Sequence, residues 1–129
     1  MAISVLLIDD DPDFFTLVRT LLQGKDYQLI SAENGYEGIR KCKLILPEIV
    51  ILDLLMPEMD GWEVCERIRE FSNVPILILS ALGAPANVAR ALDAGADDYL
   101  IKPIHASVLV SRMQSLIRRF SLRGQAPAA

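Results

Sequence analysis

The sequence predicts an α/β fold built on a mostly parallel sheet, and three observations carry that prediction. Apolar runs of strand length alternate about five times with segments of helical period. The runs Val5-Leu6-Leu7-Ile8, Ile49-Val50-Ile51-Leu52 and Ile76-Leu77-Ile78-Leu79 are unbroken by polar residues, as expected of strands covered on both faces. The residues suited to chemistry collect just after those runs, at the edge where open α/β sheets bind their ligands. A chain of 129 residues has room for one ordinary domain.

Taken in order, Val5 to Ile8 is the first strand. A helix follows in which Phe14, Leu17, Val18, Leu21 and Leu22 repeat at the spacing of one face; Pro12 suits its first turn and Gly24 its stop. Tyr27 to Ala32 is the second strand, and Gly35 to Leu46 the second helix, with Ile39 and Cys42 inward and Pro47 closing it. Ile49 to Leu52 is the third strand and ends on Asp53. The stretch Met56-Pro57-Glu58-Met59-Asp60-Gly61 is turn-rich, and the helix after it presents Val64, Cys65 and Ile68. Pro75 to Ser80 is the fourth strand. Its helix, around Pro85 to Ala94, is rich in Ala and thin in large apolar residues, which predicts the weakest anchoring of the five. Tyr99-Leu100-Ile101 is a short fifth strand, and the last helix turns Leu109, Met113, Leu116, Ile117 and Phe120 inward. The predicted domain is 1–120, with 121–129 read as a flexible C-terminal tail or linker.

Composition narrows the function. Half the residues are apolar (52%) and 23% are charged, values of a globular protein. The apolar runs fall far short of the roughly 20 residues of a spanning helix, and Met-Ala-Ile-Ser lacks the basic segment of a signal peptide, so a cytoplasmic protein without a membrane partner is expected. A net charge of −4 argues against direct nucleic-acid binding. Cys42 and Cys65 lie in apolar helical contexts without a C-x-x-C spacing or a neighbouring histidine, and read as buried thiols. His105, the single histidine, sits near the start of the last helix and receives no role.

Asp9-Asp10-Asp11 follow the first strand, Asp53 the third, Ser80 ends the fourth, and Lys102-Pro103 follow the fifth. Acidic groups converging at one sheet edge repel one another unless a cation joins them, and hard carboxylate oxygens without sulfur or imidazole select Mg²⁺ or Mn²⁺. Such an ion, holding few protein carboxylates, points to phosphoryl chemistry. Lys102 offers a mobile positive charge and Ser80 a hydroxyl donor for phosphoryl oxygens. Asp53 stands alone after the central strand, and a carboxylate can attack phosphorus to give an acyl phosphate. The competing reading of the acidic run is a helix cap, since a helix follows it directly.

At these residues the chain resembles the receiver domains of two-component response regulators, from Ser4 to about Phe120. The resemblance rests on Leu7-Ile8-Asp9-Asp10-Asp11-Pro12, Asp53-Leu54-Leu55-Met56-Pro57-Glu58-Met59-Asp60-Gly61, Pro75-Ile76-Leu77-Ile78-Leu79-Ser80-Ala81 and Gly95-Ala96-Asp97-Asp98-Tyr99-Leu100-Ile101-Lys102-Pro103. It implies a doubly wound five-stranded parallel sheet of order 2-1-3-4-5, the flavodoxin-like receiver fold, and a cis Lys102-Pro103 bond. It also implies a signalling phosphoacceptor rather than an enzyme acting on a separate substrate. Asp53 would take its phosphoryl group from the phosphohistidine of a sensor histidine kinase or phosphotransfer protein. Asp9, Asp10, Asp53 and the Leu55 carbonyl would hold Mg²⁺, and Ser80 and Lys102 would bind phosphoryl oxygens. Ser80 and Tyr99 would form the switch, Tyr99 turning inward as Ser80 is displaced, with the surface of helix four, strand five and helix five remodelled for a partner.

Asp97, Asp98, Arg112 and Arg119 resemble charges that pair across the dimer face of receivers attached to winged-helix DNA-binding domains, which points to a homodimer and a transcriptional output. Val88 and Val108 stand where those relatives tend to carry an opposite-charge pair. Leu55 and Leu82 flank the path of attacking water with aliphatic chains, which predicts slow dephosphorylation. Among rivals, a haloacid-dehalogenase-type hydrolase would make Asp9 the nucleophile of a D-x-D with Asp11, but its second acidic pair should follow the lysine, and Asp97-Asp98 precede Lys102. A flavodoxin relative would need small polar residues where this chain has acids. A receiver that takes no phosphate is opposed by the intact set of acids, Ser80 and Lys102.

Overall fold

Five parallel strands lie in the order β2-β1-β3-β4-β5. In chain order the elements are β1 (Ile3–Ile8), α1 (Pro12–Leu21), β2 (Tyr27–Ala32), α2 (Gly35–Ile45), β3 (Ile49–Leu52), α3 (Gly61–Arg69), β4 (Ile76–Ser80), α4 (Pro85–Asp93), β5 (Asp98–Ile101) and α5 (Ala106–Gln125). The computed structural model describes residues 2–125.

The unbroken apolar strands make sense once both faces are covered. Successive side chains alternate across a strand, and here the alternation divides the core in two. Leu6, Ile8, Val50, Leu52, Ile76 and Ile78 pack beneath α2, α3 and α4 with Cys42, Trp62, Val64, Cys65, Ile68 and Ala91. Val5, Leu7, Ile49, Ile51, Leu77 and Leu79 pack on the other side with Val18, Leu109, Met113 and Leu116 of α1 and α5. Both cysteines are buried, as expected, and burial pushes their thiols up to about 11, so they behave as small apolar fillers.

Helix starts follow local chemistry. Asp11, Asn34 and Asp60 cap α1, α2 and α3, each side chain accepting from a backbone N–H two or three residues on. α4 begins at Pro85 with no side-chain cap and buries only Ala91, in line with its predicted weak anchoring.

Three expectations are corrected. Leu17 is 48% exposed, because the inward stripe of α1 is narrower than its apolar pattern: Val18 is buried and Phe14 and Leu21 are partly so. Phe120 is likewise exposed near the end of α5, whose inward stripe consists of Leu109, Met113 and Leu116 with Ile117 partly buried. α5 also continues to Gln125, so 121–125 are helical rather than tail; 126–129 lie outside the described residues.

Below the sheet, Arg69 ties three segments together. Its guanidinium donates to the carbonyls of Gly95 (3.0 Å), Ser72 (3.1 Å) and Val74 (2.8 Å), and pairs with Asp97 at 2.9 Å. The same Asp97 oxygen accepts from the Ile76 N–H at 2.8 Å, so the pair fixes where β4 begins and β5 follows.

Candidate functional site

Strand order reverses between β1 and β3, and both strands end there in a carboxylate. Ile8 pairs with Leu52 in register, so Asp9 and Asp53 leave the sheet side by side. The ladder runs one residue further on each: the Asp9 N–H donates to the Ala32 carbonyl (3.1 Å) and the Asp53 N–H to the Ile8 carbonyl (3.0 Å). Beyond β4, the Lys102 N–H donates to the Ser80 carbonyl (2.9 Å), which sets the lysine beside the same crevice. This is the position at which open α/β sheets hold ligands.

One carboxylate oxygen from each of Asp9, Asp10 and Asp53 lies within 4.8 Å of the others. Asp9 and Asp53 are buried and Asp10 is exposed. These carboxylate oxygens could hold a metal ion, and a donor set of hard oxygens alone suits hard cations such as Mg²⁺ or Mn²⁺. The acidic run serves both readings offered for it: Asp9 and Asp10 join the cluster, while Asp11 caps α1 by accepting from the Asp13 N–H at 2.9 Å.

Electrostatics show what this crowding costs. Burial pushes the Asp53 carboxyl up to about 6, with Asp9 adding to the rise and Lys102 and the N–H groups of Leu54 and Leu55 opposing it. Burial raises Asp9 as well, against the Asp11 N–H and Lys102. The Leu54 N–H donates to Asp53 Oδ1 at 2.8 Å and so orients the carboxylate. Lys102 Nζ lies 3.3 Å from Asp9 Oδ2 and 3.8 Å above the centre of the Phe14 ring. The Lys102-Pro103 bond is cis, as the resemblance implies.

Close packing behind Asp53 depends on Gly61, whose N–H donates to the Leu54 carbonyl at 2.8 Å. A Cβ there would stand 2.3 Å from the Asp53 carbonyl oxygen and 2.7 Å from Leu54 Cα, both main-chain atoms that cannot step aside. Gly61→Ala is therefore expected to cost about 2 to 3 kcal/mol, read from the urea midpoint; a change below 0.5 kcal/mol would contradict this packing.

The family model for the response regulator receiver domain matches residues 5–114. The chain belongs to the response regulator receiver domain family. It is 40% identical to the transcriptional regulatory protein ResD of Bacillus subtilis over 118 residues, the match covering 92% of this chain and 49% of ResD. It is 35% identical to the transcriptional regulatory protein AfsQ1 of Streptomyces coelicolor, covering 90% of this chain and 52% of that protein. The receiver thus spans about half the length of these curated relatives. Among solved structures it superposes on a two-component response regulator from Clostridium difficile with a TM-score of 0.87 and 29% identity, covering 92% of this chain and 98% of the other. The BeF3-activated N-terminal receiver domain of Klebsiella pneumoniae RstA gives 0.85 and 28%, covering 89% and 98%. The dehalogenase and flavodoxin readings give way to this match. Among the described residues no helix is long and apolar enough to cross a membrane.

The receiver's remaining predicted residues fall into two groups. Ser80 is buried, and its Oγ accepts from the Leu82 N–H at 3.2 Å. Tyr99 is already turned inward in this structure: its ring packs against the core under α4, and its hydroxyl donates to the Leu82 carbonyl. Both side chains lie on the α4 side of the sheet, whereas Lys102 follows the parity of Leu100 toward α1.

The charges assigned to a dimer face are largely engaged within the chain. Asp97 serves Arg69 and the Ile76 N–H, and Asp98 pairs with Arg112 at 3.0 Å. Arg119 is exposed on α5, Val108 is exposed and Val88 is half-buried on α4. Sequence reasoning missed Arg69 as a clamp and read Phe14 only as core. No local signal marks either, because their partners lie on other elements. The Leu54 and Leu55 amides were missed because main-chain donors carry no residue signature.

Proposed function

We propose that this receiver accepts a phosphoryl group on Asp53 from the phosphohistidine of a sensor histidine kinase or phosphotransfer protein. The convergence of Asp9, Asp10 and Asp53 with the Lys102 ammonium at the sheet's switch point carries this reading. Asp9, Asp10, Asp53 and the Leu55 carbonyl would hold Mg²⁺, which would neutralise charge on the phosphoryl oxygens. Asp53 attacks phosphorus; its new O–P bond forms as the P–N bond to imidazole breaks, and the imidazole leaves. Lys102 and Ser80 receive the phosphoryl oxygens through charge-assisted and hydroxyl hydrogen bonds.

The product places roughly two negative charges beside Ser80. Leu82 links the switch residues, since its N–H donates to Ser80 and its carbonyl accepts from Tyr99. Drawing the Ser80 hydroxyl toward phosphate frees the Leu82 N–H and shifts the loop that holds Tyr99. The weakly capped α4 follows, biasing the face made by α4, β5 and α5 toward a partner. The output is control of a homodimer or an effector, with transcription the reading favoured by ResD and AfsQ1. Treatment with beryllofluoride is expected to shift the sedimentation coefficient toward a dimer at high concentration; a protein that stays monomeric excludes the dimer.

The test of the phosphoacceptor reading is mass mapping after phosphoramidate and Mg²⁺. Phosphate on Asp53, and no incorporation when EDTA is present from the start, is the expected result; phosphate on Asp9 would overturn the assignment. Leu55 is exposed and aliphatic and cannot orient water for attack on the acyl phosphate. Leu55→Asn should shorten the phosphoryl lifetime about tenfold, measured by the decay of phosphoprotein, and an unchanged lifetime would remove this explanation of slow decay.

A further inference from the structure

Lys102 hangs on a four-carbon stem, and an unrestrained lysine loses much rotamer freedom when it is fixed. Two contacts restrain it here. Asp9 Oδ2 lies 3.3 Å from Nζ, longer than a good charge-assisted bond. The face of the Phe14 ring lies 3.8 Å from Nζ, well inside the range of a cation–π contact. Phe14 is itself held, since it is partly buried against the α1 and α5 side of the core, on the first turn of the helix that follows the acidic run. The ammonium therefore rests between an anion and an aromatic face, with Asp53 acting on it electrostatically.

We propose that Phe14 is a positioning residue for phosphoryl transfer: its ring face holds the Lys102 ammonium at the crevice so that it meets the incoming phosphoryl oxygen without a conformational search. The proposal rests on the phosphoacceptor reading of Asp53 and extends it. An aliphatic residue of equal bulk would fill the same core space but offer no negative face to the ammonium. Packing and cation–π attraction are thus separable by chemistry: ring fluorination drains the face of electron density at nearly constant shape, and Tyr keeps the face.

The experiment measures the rate of Asp53 phosphorylation by phosphoramidate with Mg²⁺ in the full chain. Phe14→Leu should slow it about fivefold, equivalent to about 1 kcal/mol, and Phe14→Tyr should restore it. Mono- to trifluorinated phenylalanine at position 14 should give rates that fall stepwise with fluorine number. The Lys102 ε-methylene protons should be shifted upfield by the ring in the wild type and not in Phe14→Leu. In a Lys102→Met background the same Phe14 changes should have no effect on rate. A flat fluorine series, an undiminished rate in Phe14→Leu, or the same slowing in the Lys102→Met background overturns the proposal while leaving Asp53 as the acceptor. Failure of the wild type to take phosphate on Asp53 overturns both.

Discussion

Asp53→Asn is expected to abolish phosphate incorporation and, in the metal-free protein, to raise stability at neutral pH. A carboxylate held at about 6 against an ordinary value of 3.8 is one whose charged form the fold disfavours. Between those two values the folded protein binds more protons than the unfolded chain, so stability attributable to this group is greatest below about pH 4 and is lost as pH rises through about 6. The raised Asp9 works in the same direction. Asn removes the buried charge and its repulsion with Asp9, yet keeps an oxygen to accept from the Leu54 N–H. The gain should be about 2 to 3 kcal/mol at pH 7.5 and should vanish at pH 4. Urea titrations across pH in EDTA read it directly, and a variant less stable than wild type at pH 7.5 would refute the account. Added Mg²⁺ should stabilise the wild type and have much less effect on Asp53→Asn. The proposed acceptor site is thus a place where stability would be given up for chemistry.

Arg69→Ala should cost about 3 kcal/mol, a fall in melting temperature on the order of 10 °C for a domain of this size. Three carbonyls lose a charged donor and Asp97 loses its counter-charge at once. Both side chains are about a fifth exposed (21% each), which places the cost at the lower end for a buried pair. Arg69→Lys should recover less than half, because one ammonium cannot reach four acceptors arranged around a planar fork. Calorimetry checks both variants, and a loss below 1 kcal/mol for Arg69→Ala would mean that solvent replaces the clamp.

That clamp bears on how Asp97 is to be understood. As a member of an acidic pair before the fifth strand it resembles a dimer-face charge, yet its oxygen is committed to Arg69 and to the Ile76 N–H. Asp98 differs: its partner Arg112 is half exposed, so that pair contributes about 0 to 1 kcal/mol and can be exchanged for a partner's charges at little cost.

The order of elements, the two-sided burial of the central strands and the residues at the strand ends were all legible along the chain. They depend on short-range rules: apolar period, turn residues, and a proline or aspartate at a helix start. Asp9, Asp10, Asp53, Ser80 and Lys102 could be picked out because each directly follows or ends an apolar run, and in a parallel sheet those ends share one edge. Other features required the assembled sheet. Registry between Ile8 and Leu52 sets Asp9 against Asp53, and burial at that seam lifts their protonation. The seating of Lys102 over Phe14, the engagement of Arg69 with Asp97 and the exposure of Leu17 depend on how α1, α3 and β5 sit around the sheet. Contacts between residues far apart in the chain follow from strand register and helix placement, which local composition does not encode.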